Sequence, residues 1–207
     1  DIEVYPQVEA GFTHPLESCS PLSFEFQNTS ENAGLYQWDL GNGVVSVAEN
    51  PMGGYMNNGL EPDTFDIQLV ATSIFGCEDT ARSEIVVFPK PNASFLPNNT
   101  AGCSPLTVSL QNNSTVGSNY YWNYGDGEES DTSAVIHEHT FFSTSTSTQN
   151  FEISLVAETE YGCSDTTFFE VTVYPEVIAN FTGSPLEGCS PLQTNFVNQS
   201  FGPSTFF

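Results

Sequence analysis

Apolar and polar positions alternate with a period of two along most of this chain, and no stretch sustains the longer period of a helix. Leu106, Val108 and Leu110 are separated by Thr107 and Ser109, while Phe151, Ile153, Leu155 and Ala157 are separated by Glu152, Ser154 and Val156. The same two patterns occur earlier, as Leu22, Phe24 and Phe26 and as Phe65, Ile67, Leu69 and Ala71. Each predicts a strand with one face inward. Residues 93–96, 120–124, 134–142 and 167–174 read as further strands, separated by the polar turn 112–115 and the polar loop 143–150. Six or seven short strands in about 85 residues predict a β-sandwich.

One aromatic strand leads twice into a glycine-flanked turn: Tyr36-Gln-Trp-Asp-Leu-Gly-Asn-Gly43 and Tyr120-Tyr-Trp-Asn-Tyr-Gly-Asp-Gly127. Trp38 and Trp122 are the expected core anchors. Gly41, Gly43, Gly125 and Gly127 permit the positive φ that a tight reversal demands.

The repetition extends well beyond that motif. Cys-Ser-Pro-Leu begins at Cys19, Cys103 and Cys189, at spacings of 84 and 86 residues, and Phe75-Gly-Cys-Glu-Asp-Thr80 returns as Tyr161-Gly-Cys-Ser-Asp-Thr166. Ile85-Val-Val-Phe-Pro89 returns as Val171-Thr-Val-Tyr-Pro175, and Ile2-Glu-Val-Tyr-Pro6 has the same form. The expected organisation is therefore a closing strand of a preceding repeat over 1–7, complete repeats over 8–89 and 91–175, and the start of a truncated repeat over 177–207. On this reading the chain is a segment of a longer protein. The short junctions at Pro89-Lys-Pro91 and Pro175-Glu-Val177 predict a semi-rigid rod of repeats.

Cysteine usage follows the same period. Each complete repeat carries two, Cys19 with Cys77 and Cys103 with Cys163, and the truncated one carries Cys189 alone. The expected pattern is one disulfide per complete repeat, Cys19–Cys77 and Cys103–Cys163, each closing a loop of roughly 60 residues and contributing about 4 kcal/mol. Bridges of this kind persist in oxidising surroundings outside the cytoplasm.

Composition narrows the partners. Only 2 Lys+Arg stand against 26 Asp+Glu, a formal net charge of −24. So few cations leave no means of neutralising phosphates, which argues against nucleic acid and against an anionic membrane surface. No run approaches the roughly 18 to 20 apolar residues of a membrane-spanning helix, so no direct membrane insertion is expected in this segment.

Trp122-Asn-Tyr-Gly-Asp-Gly127, His139-Thr-Phe141 and the alternating strand from Phe151 resemble the PKD domain, whose pattern is Trp-Asp-Phe-Gly-Asp-Gly followed by His-Thr-Tyr and a Val-rich strand. Trp38-Asp-Leu-Gly-Asn-Gly43 matches as well, but Asn50-Pro-Met-Gly-Gly-Tyr55 lacks the His-Thr pair. The Gly-Cys-Ser-Pro-Leu and Tyr-Gly-Cys-Ser-Asp-Thr elements are similar to PKD arrays of large secreted Bacteroidota surface proteins, including gliding-motility adhesins of the SprB type. The resemblance implies an all-β fold of tandem immunoglobulin-like (PKD) β-sandwiches at the cell surface, serving as spacers, adhesive stalks or accessory domains beside enzymes.

Candidate chemistry is sparse. No nucleophile elbow, metalloprotease helix, phosphate loop or dinucleotide fingerprint occurs, so no catalytic residue is assigned and no cofactor is required. Asp126, Glu128, Glu129 and Asp131 crowd one turn and supply candidate oxygen ligands for Ca²⁺, with a solvated acidic turn as the other reading. His137 and His139 share a strand face; without a third ligand nearby they read as ordinary strand residues, with a metal pair as the other reading. Asp79-Thr-Ala81 and Asp165-Thr-Thr167 resemble the Bacteroidota O-glycosylation site, which makes Thr80 and Thr166 candidate acceptors; local turn chemistry accounts for Asp-Thr equally well.

Two functions follow. The first is a structural or adhesive stalk or filament segment of an extracellular bacterial surface protein, with neighbouring repeats, surface glycans or other cell-surface proteins as partners. The second is a set of carbohydrate-binding or accessory modules of a secreted polysaccharide-degrading enzyme, in which Tyr120, Tyr121 and Phe168 stack on sugar rings. Neither makes this segment an enzyme.

Overall fold

Side chains that alternate in sequence line opposite faces of strands in the computed structural model, which describes residues 2–202. Residue 1 and residues 203–207, the outer ends of the segments 1–7 and 177–207, lie outside the described residues. Among the described residues every regular element longer than a turn is a strand. In chain order these are β1 (Phe12–Thr13), β2 (Glu17–Cys19), β3 (Leu22–Glu25), β4 (Gln27–Asn28), β5 (Leu35–Asp39), β6 (Val45–Ser46), β7 (Met52–Tyr55), β8 (Asp63–Thr72) and β9 (Glu78–Phe88). There follow β10 (Phe95–Pro97), β11 (Ala101–Cys103), β12 (Leu106–Asn112), β13 (Asn119–Asn123), β14 (Glu129–Ser130), β15 (Ile136–Phe141), β16 (Gln149–Glu158), β17 (Ser164–Tyr174), β18 (Phe181–Ser184) and β19 (Asn195–Asn198).

The chain forms two compact units, one of residues 1–91 with 158–165, the other of residues 92–157 with the chain from 166 onward. In the first, β2-β9-β8-β5-β6 form a five-stranded sheet, accompanied by the pairs β3-β7 and β1-β4. In the second, β11-β17-β16-β13-β14 form the matching five-stranded sheet, and β10-β12-β15 form a three-stranded one. β18 and β19 pair separately as a hairpin. Both units are β-sandwiches, since inward positions of facing sheets meet in one core.

The alternation decides what that core contains. Trp38, Ile67, Leu69, Ile85 and Val87 from the large sheet, with Leu40 just past the end of β5, meet Phe26 and Tyr55 in the first unit. Trp122, Ile153, Leu155, Val171 and Val173 meet Phe95, Val108, Leu110 and Phe141 in the second. Trp38 and Trp122 are 0% and 1% exposed, and truncating either to alanine is expected to cost about 3–5 kcal/mol.

Two of the short strands that gave no signal in the hydrophobic pattern carry cysteines. β2 runs parallel to the end of β9, with Glu17, Ser18 and Cys19 opposite Val86, Val87 and Phe88. β11 runs parallel to the end of β17, with Ala101, Gly102 and Cys103 opposite Thr172, Val173 and Tyr174. This register determines where the cysteines lie.

Candidate functional site

The glycine turns are built alike in both units. Gly41 N–H donates to Asp39 Oδ1 at 3.0 Å and Val44 N–H to Asn42 Oδ1 at 3.0 Å. Gly125 N–H donates to Asn123 Oδ1 at 2.9 Å and Glu128 N–H to Asp126 Oδ1 at 3.1 Å. Gly41 (φ +73°) and Gly125 (φ +78°) also pass close to a neighbouring strand: a Cβ on Gly41 would collide with the Asp66 backbone, and one on Gly125 would lie 2.6 Å from the Glu152 carbonyl oxygen. Glycine is required there twice over.

How each turn is fastened differs. In the first unit Asn42 Nδ2 donates to the Gly54 carbonyl at 2.8 Å, and the Tyr55 hydroxyl donates to the Leu40 carbonyl at 2.9 Å. Burial, with the Asp39 charge adding to it, pushes the Tyr55 phenol up to about 12. In the second unit Asp126 Oδ2 lies 2.7 Å from His139 Nε2, and the His139 ring stacks on Tyr124 at 3.8 Å and 2°. Burial, above all, raises the Tyr124 phenol.

These contacts answer the calcium expectation. Asp126 spends one carboxylate oxygen on the Glu128 N–H and the other on His139, and Glu129 accepts from Asn123 Nδ2 at 2.9 Å. Among the described residues no three His, Cys, Asp or Glu side chains gather in a way that could hold a metal ion. Asp126 and Glu129 thus spend carboxylate oxygens on the turn and the strand beside it, while Glu128 and Asp131 are exposed. His137 and His139 do not converge on a third ligand either. His137 packs edge-on against Trp122 at 4.5 Å, and burial followed by the nearby His139 lowers its pKa.

The disulfide pairing expected within each repeat is not the one formed. Cys19 bonds to Cys163, a separation of 144 residues, while Cys77, Cys103 and Cys189 are free. Strand register explains it. Cys19 lies opposite Phe88, the last residue of the 11-residue β9, whereas Cys77 immediately precedes the first. At about 3.3 Å per residue the two cysteines are separated by roughly 36 Å, against the 7 Å or less between Cα atoms that a bridge requires. Cys103 and Cys163 stand at opposite ends of β17 in the same way. Cys163 instead ends the turn between β16 and β17, within the segment 158–165 that belongs to the first unit, where Tyr161 stacks on Phe88 at 4.6 Å and Lys90 pairs with Asp165 at 2.9 Å.

The remaining candidates are dispersed. Thr80 and Thr166 are exposed near the starts of β9 and β17. The preceding Asp79 accepts the Ala10 N–H at 2.8 Å, and that bond is the main cause of its lowered pKa. Tyr120 is partly buried against the core and donates to the Gly117 carbonyl at 2.8 Å. Phe168 is exposed on β17. Tyr121, exposed on β13, borders a shallow groove of about 470 Å³ with Asn123, Glu129, Asp131 and Ser154. That groove needed the β13–β16 pairing, which residue spacing does not reveal.

No protein-family model matches the chain, and no curated protein does. Among solved structures it is similar to the PKD1 domain of Vibrio anguillarum Epp (24% identity, TM-score 0.32, covering 41% of this chain and 93% of that one). It is also similar to the PKD1 domain of the Vibrio cholerae metalloprotease PrtV (26% identity, TM-score 0.30, 41% and 99%). A third likeness is to the fibronectin(III)-like modules of Clostridium thermocellum CbhA (12% identity, TM-score 0.38, 81% and 94%).

Proposed function

We propose that this chain is a load-bearing, non-catalytic segment of an extracellular bacterial surface protein, a stalk of PKD-like sandwiches of the kind found in gliding-motility adhesins of Bacteroidota. The observation that carries the reading is the Cys19–Cys163 bond. Tension applied at the two chain ends passes through that bond and bypasses the backbone between its two cysteines. Both tryptophan turns and the β8–β9 and β13–β16 pairings lie inside the bypassed stretch, so they bear none of the pull. A disulfide in this position also supports an oxidising, extracytoplasmic location. The net charge of −24 keeps such segments apart from one another in solution.

Pulling single molecules by their ends tests this. Under non-reducing conditions the 144-residue loop stays locked, and after reduction its unfolding adds roughly 500 Å of contour length at about 3.5 Å per residue. Equal extension with and without reductant overturns the reading.

The groove beside Tyr121 favours a second reading, in which the second unit holds a polysaccharide between an aromatic face and hydrogen-bonding Asn123, Glu129 and Asp131. A glycan array supports it if binding is lost in Tyr121→Ala, and absence of binding to any glycan removes it.

A further inference from the structure

Two features of the bonded pair recur at cysteines that are not bonded. Around Cys163, the Cys163 N–H donates to Thr159 Oγ1 at 3.1 Å, the Thr159 N–H to the Cys163 carbonyl at 2.8 Å, and Gly162 holds φ +79°. Around Cys77, the Cys77 N–H donates to Ser73 Oγ at 3.1 Å, the Ser73 N–H to the Cys77 carbonyl at 2.9 Å, and Gly76 holds φ +80°. The two loops are the same structure. Each also carries the same aromatic stack: Tyr161 on Phe88 at 4.6 Å and 3°, and Phe75 on Tyr5 at 4.0 Å and 7°. Tyr5 thus occupies beside Cys77 the place that Phe88 occupies beside Cys163.

The other half of the pair is duplicated as well. Cys19 sits opposite Phe88 at the end of a parallel strand, and Ser20 N–H donates to the Phe88 carbonyl at 2.9 Å. Cys103 sits opposite Tyr174 in the same register, and Ser104 N–H donates to the Tyr174 carbonyl at 2.9 Å. Cys103 is exposed, Cys77 is partly so, and Tyr174 is 45% exposed.

We infer that Cys77 and Cys103 are the two complementary halves of a staggered disulfide ladder. Cys77 takes the thiol of a Ser-Cys-Ser-Pro or Gly-Cys-Ser-Pro strand end lying opposite Tyr5, and Cys103 takes the thiol of an aromatic-Gly-Cys loop whose ring stacks on Tyr174. Both ligands are further repeats of this same kind, supplied either by a second copy of the chain or by additional repeats of a longer one. Successive loops then overlap, because Cys103 lies within the stretch that Cys19–Cys163 closes. The inference rests on the stalk reading and extends it from one bond to a continuous covalent brace. Each bridge forms as two thiols give up two protons and two electrons; glutathione disulfide accepts them and leaves as two glutathione thiols.

The test is non-reduced peptide mapping by mass spectrometry in two arms. In the first, equal amounts of ¹⁴N and ¹⁵N chain are oxidised together with glutathione disulfide, so that links between copies carry mixed isotopes. In the second, the protein is taken with its thiols blocked from the surface of the cells that make it. Cys77 joined to Cys103 or Cys189 with mixed isotopes identifies a second copy as the source, and Cys77 joined to a Cys-Ser-Pro peptide only in the second arm identifies neighbouring repeats. Cys77 joined to Cys19 or Cys103 joined to Cys163 within one copy, pairs of like cysteines, or free Cys77 in both arms overturns the ladder. The Cys19–Cys163 loop and its response to force are unaffected by that failure, so the stalk reading stands or falls separately.

Discussion

The two glycine turns share a backbone and differ in what holds them, and the difference is a compensated exchange of volume. Phe24 on β3 lies opposite Gly53 on β7, and at the matching register Val108 on β12 lies opposite His139 on β15. In the first unit the large side chain comes from one strand, in the second from its partner. A Cβ on Gly53 would lie 2.8 Å from the Phe26 ring, so no side chain fits there while Phe24 and Phe26 are in place. The ring against the tryptophan moves in the same direction: Phe26 packs on Trp38 at 5.3 Å, and His137 packs on Trp122 at 4.5 Å. Close packing allows either distribution but not both large residues or both small ones. Exchanging phenylalanine for histidine also gives the second turn an imidazole bonded to Asp126, where the first is fastened by Asn42 and Tyr55.

The sharpest break in this comparison is His139→Gly, which empties the position between Tyr124 and Phe141 and unfastens Asp126. A loss of about 3 kcal/mol is expected in the second unit alone, read by hydrogen exchange resolved by peptide. Adding Val108→Phe should restore part of it, and strictly additive costs would show that the exchange is not compensatory. Next in size is a difference between the tryptophans. Trp38 Nε1 donates to the Ala48 carbonyl at 3.0 Å, whereas Trp122 Nε1 is buried without a hydrogen-bond partner. Trp38→Phe should therefore cost about 1 kcal/mol more than Trp122→Phe, by the same readout.

The smallest effects are in pH, and they fall on opposite sides. His137 has a lowered pKa in the fold, so the unfolded chain binds its proton more readily. That stabilisation is present above the ordinary histidine value of about 6.5 and is lost as pH falls through it toward the folded value. Tyr55 is raised to about 12, so its contribution is intact below the ordinary phenol value of about 10 and is lost as pH rises toward 12. Acid titration of protection in the second unit should flatten in His137→Phe, and alkaline titration in the first should flatten in Tyr55→Phe. Unchanged profiles in both variants would remove titration as a distinction between the units.

Much of the fold was legible because it is written locally. Period-two alternation marked β3, β8, β12 and β16, and the core formed from those positions. The glycines of both turns could be read from the turn motif, since positive φ is a property of the residue itself. The departure at Asn50–Tyr55 was visible too, as the absence of the His-Thr pair. What filled that absence was not, because Phe24 and Gly53 are distant in sequence and meet only through the β3–β7 register. The acidic turn is a related case: four carboxylates in six residues are counted easily, but the partner of Asp126 is decided by the strand that packs over it.

The longer strands, the tryptophan anchors and the acidity follow from residue type and short-range order. Tertiary structure alone decided the cysteine partners. Pairing each cysteine within its own repeat was the economical reading of an even count, yet β2 docks in parallel on the far end of β9. An extended strand of 11 residues cannot bring its two ends to within a disulfide's reach. Cys19 therefore finds Cys163, and Cys77 is left presenting the same loop, with Tyr5 stacked where Phe88 stands beside the bonded one.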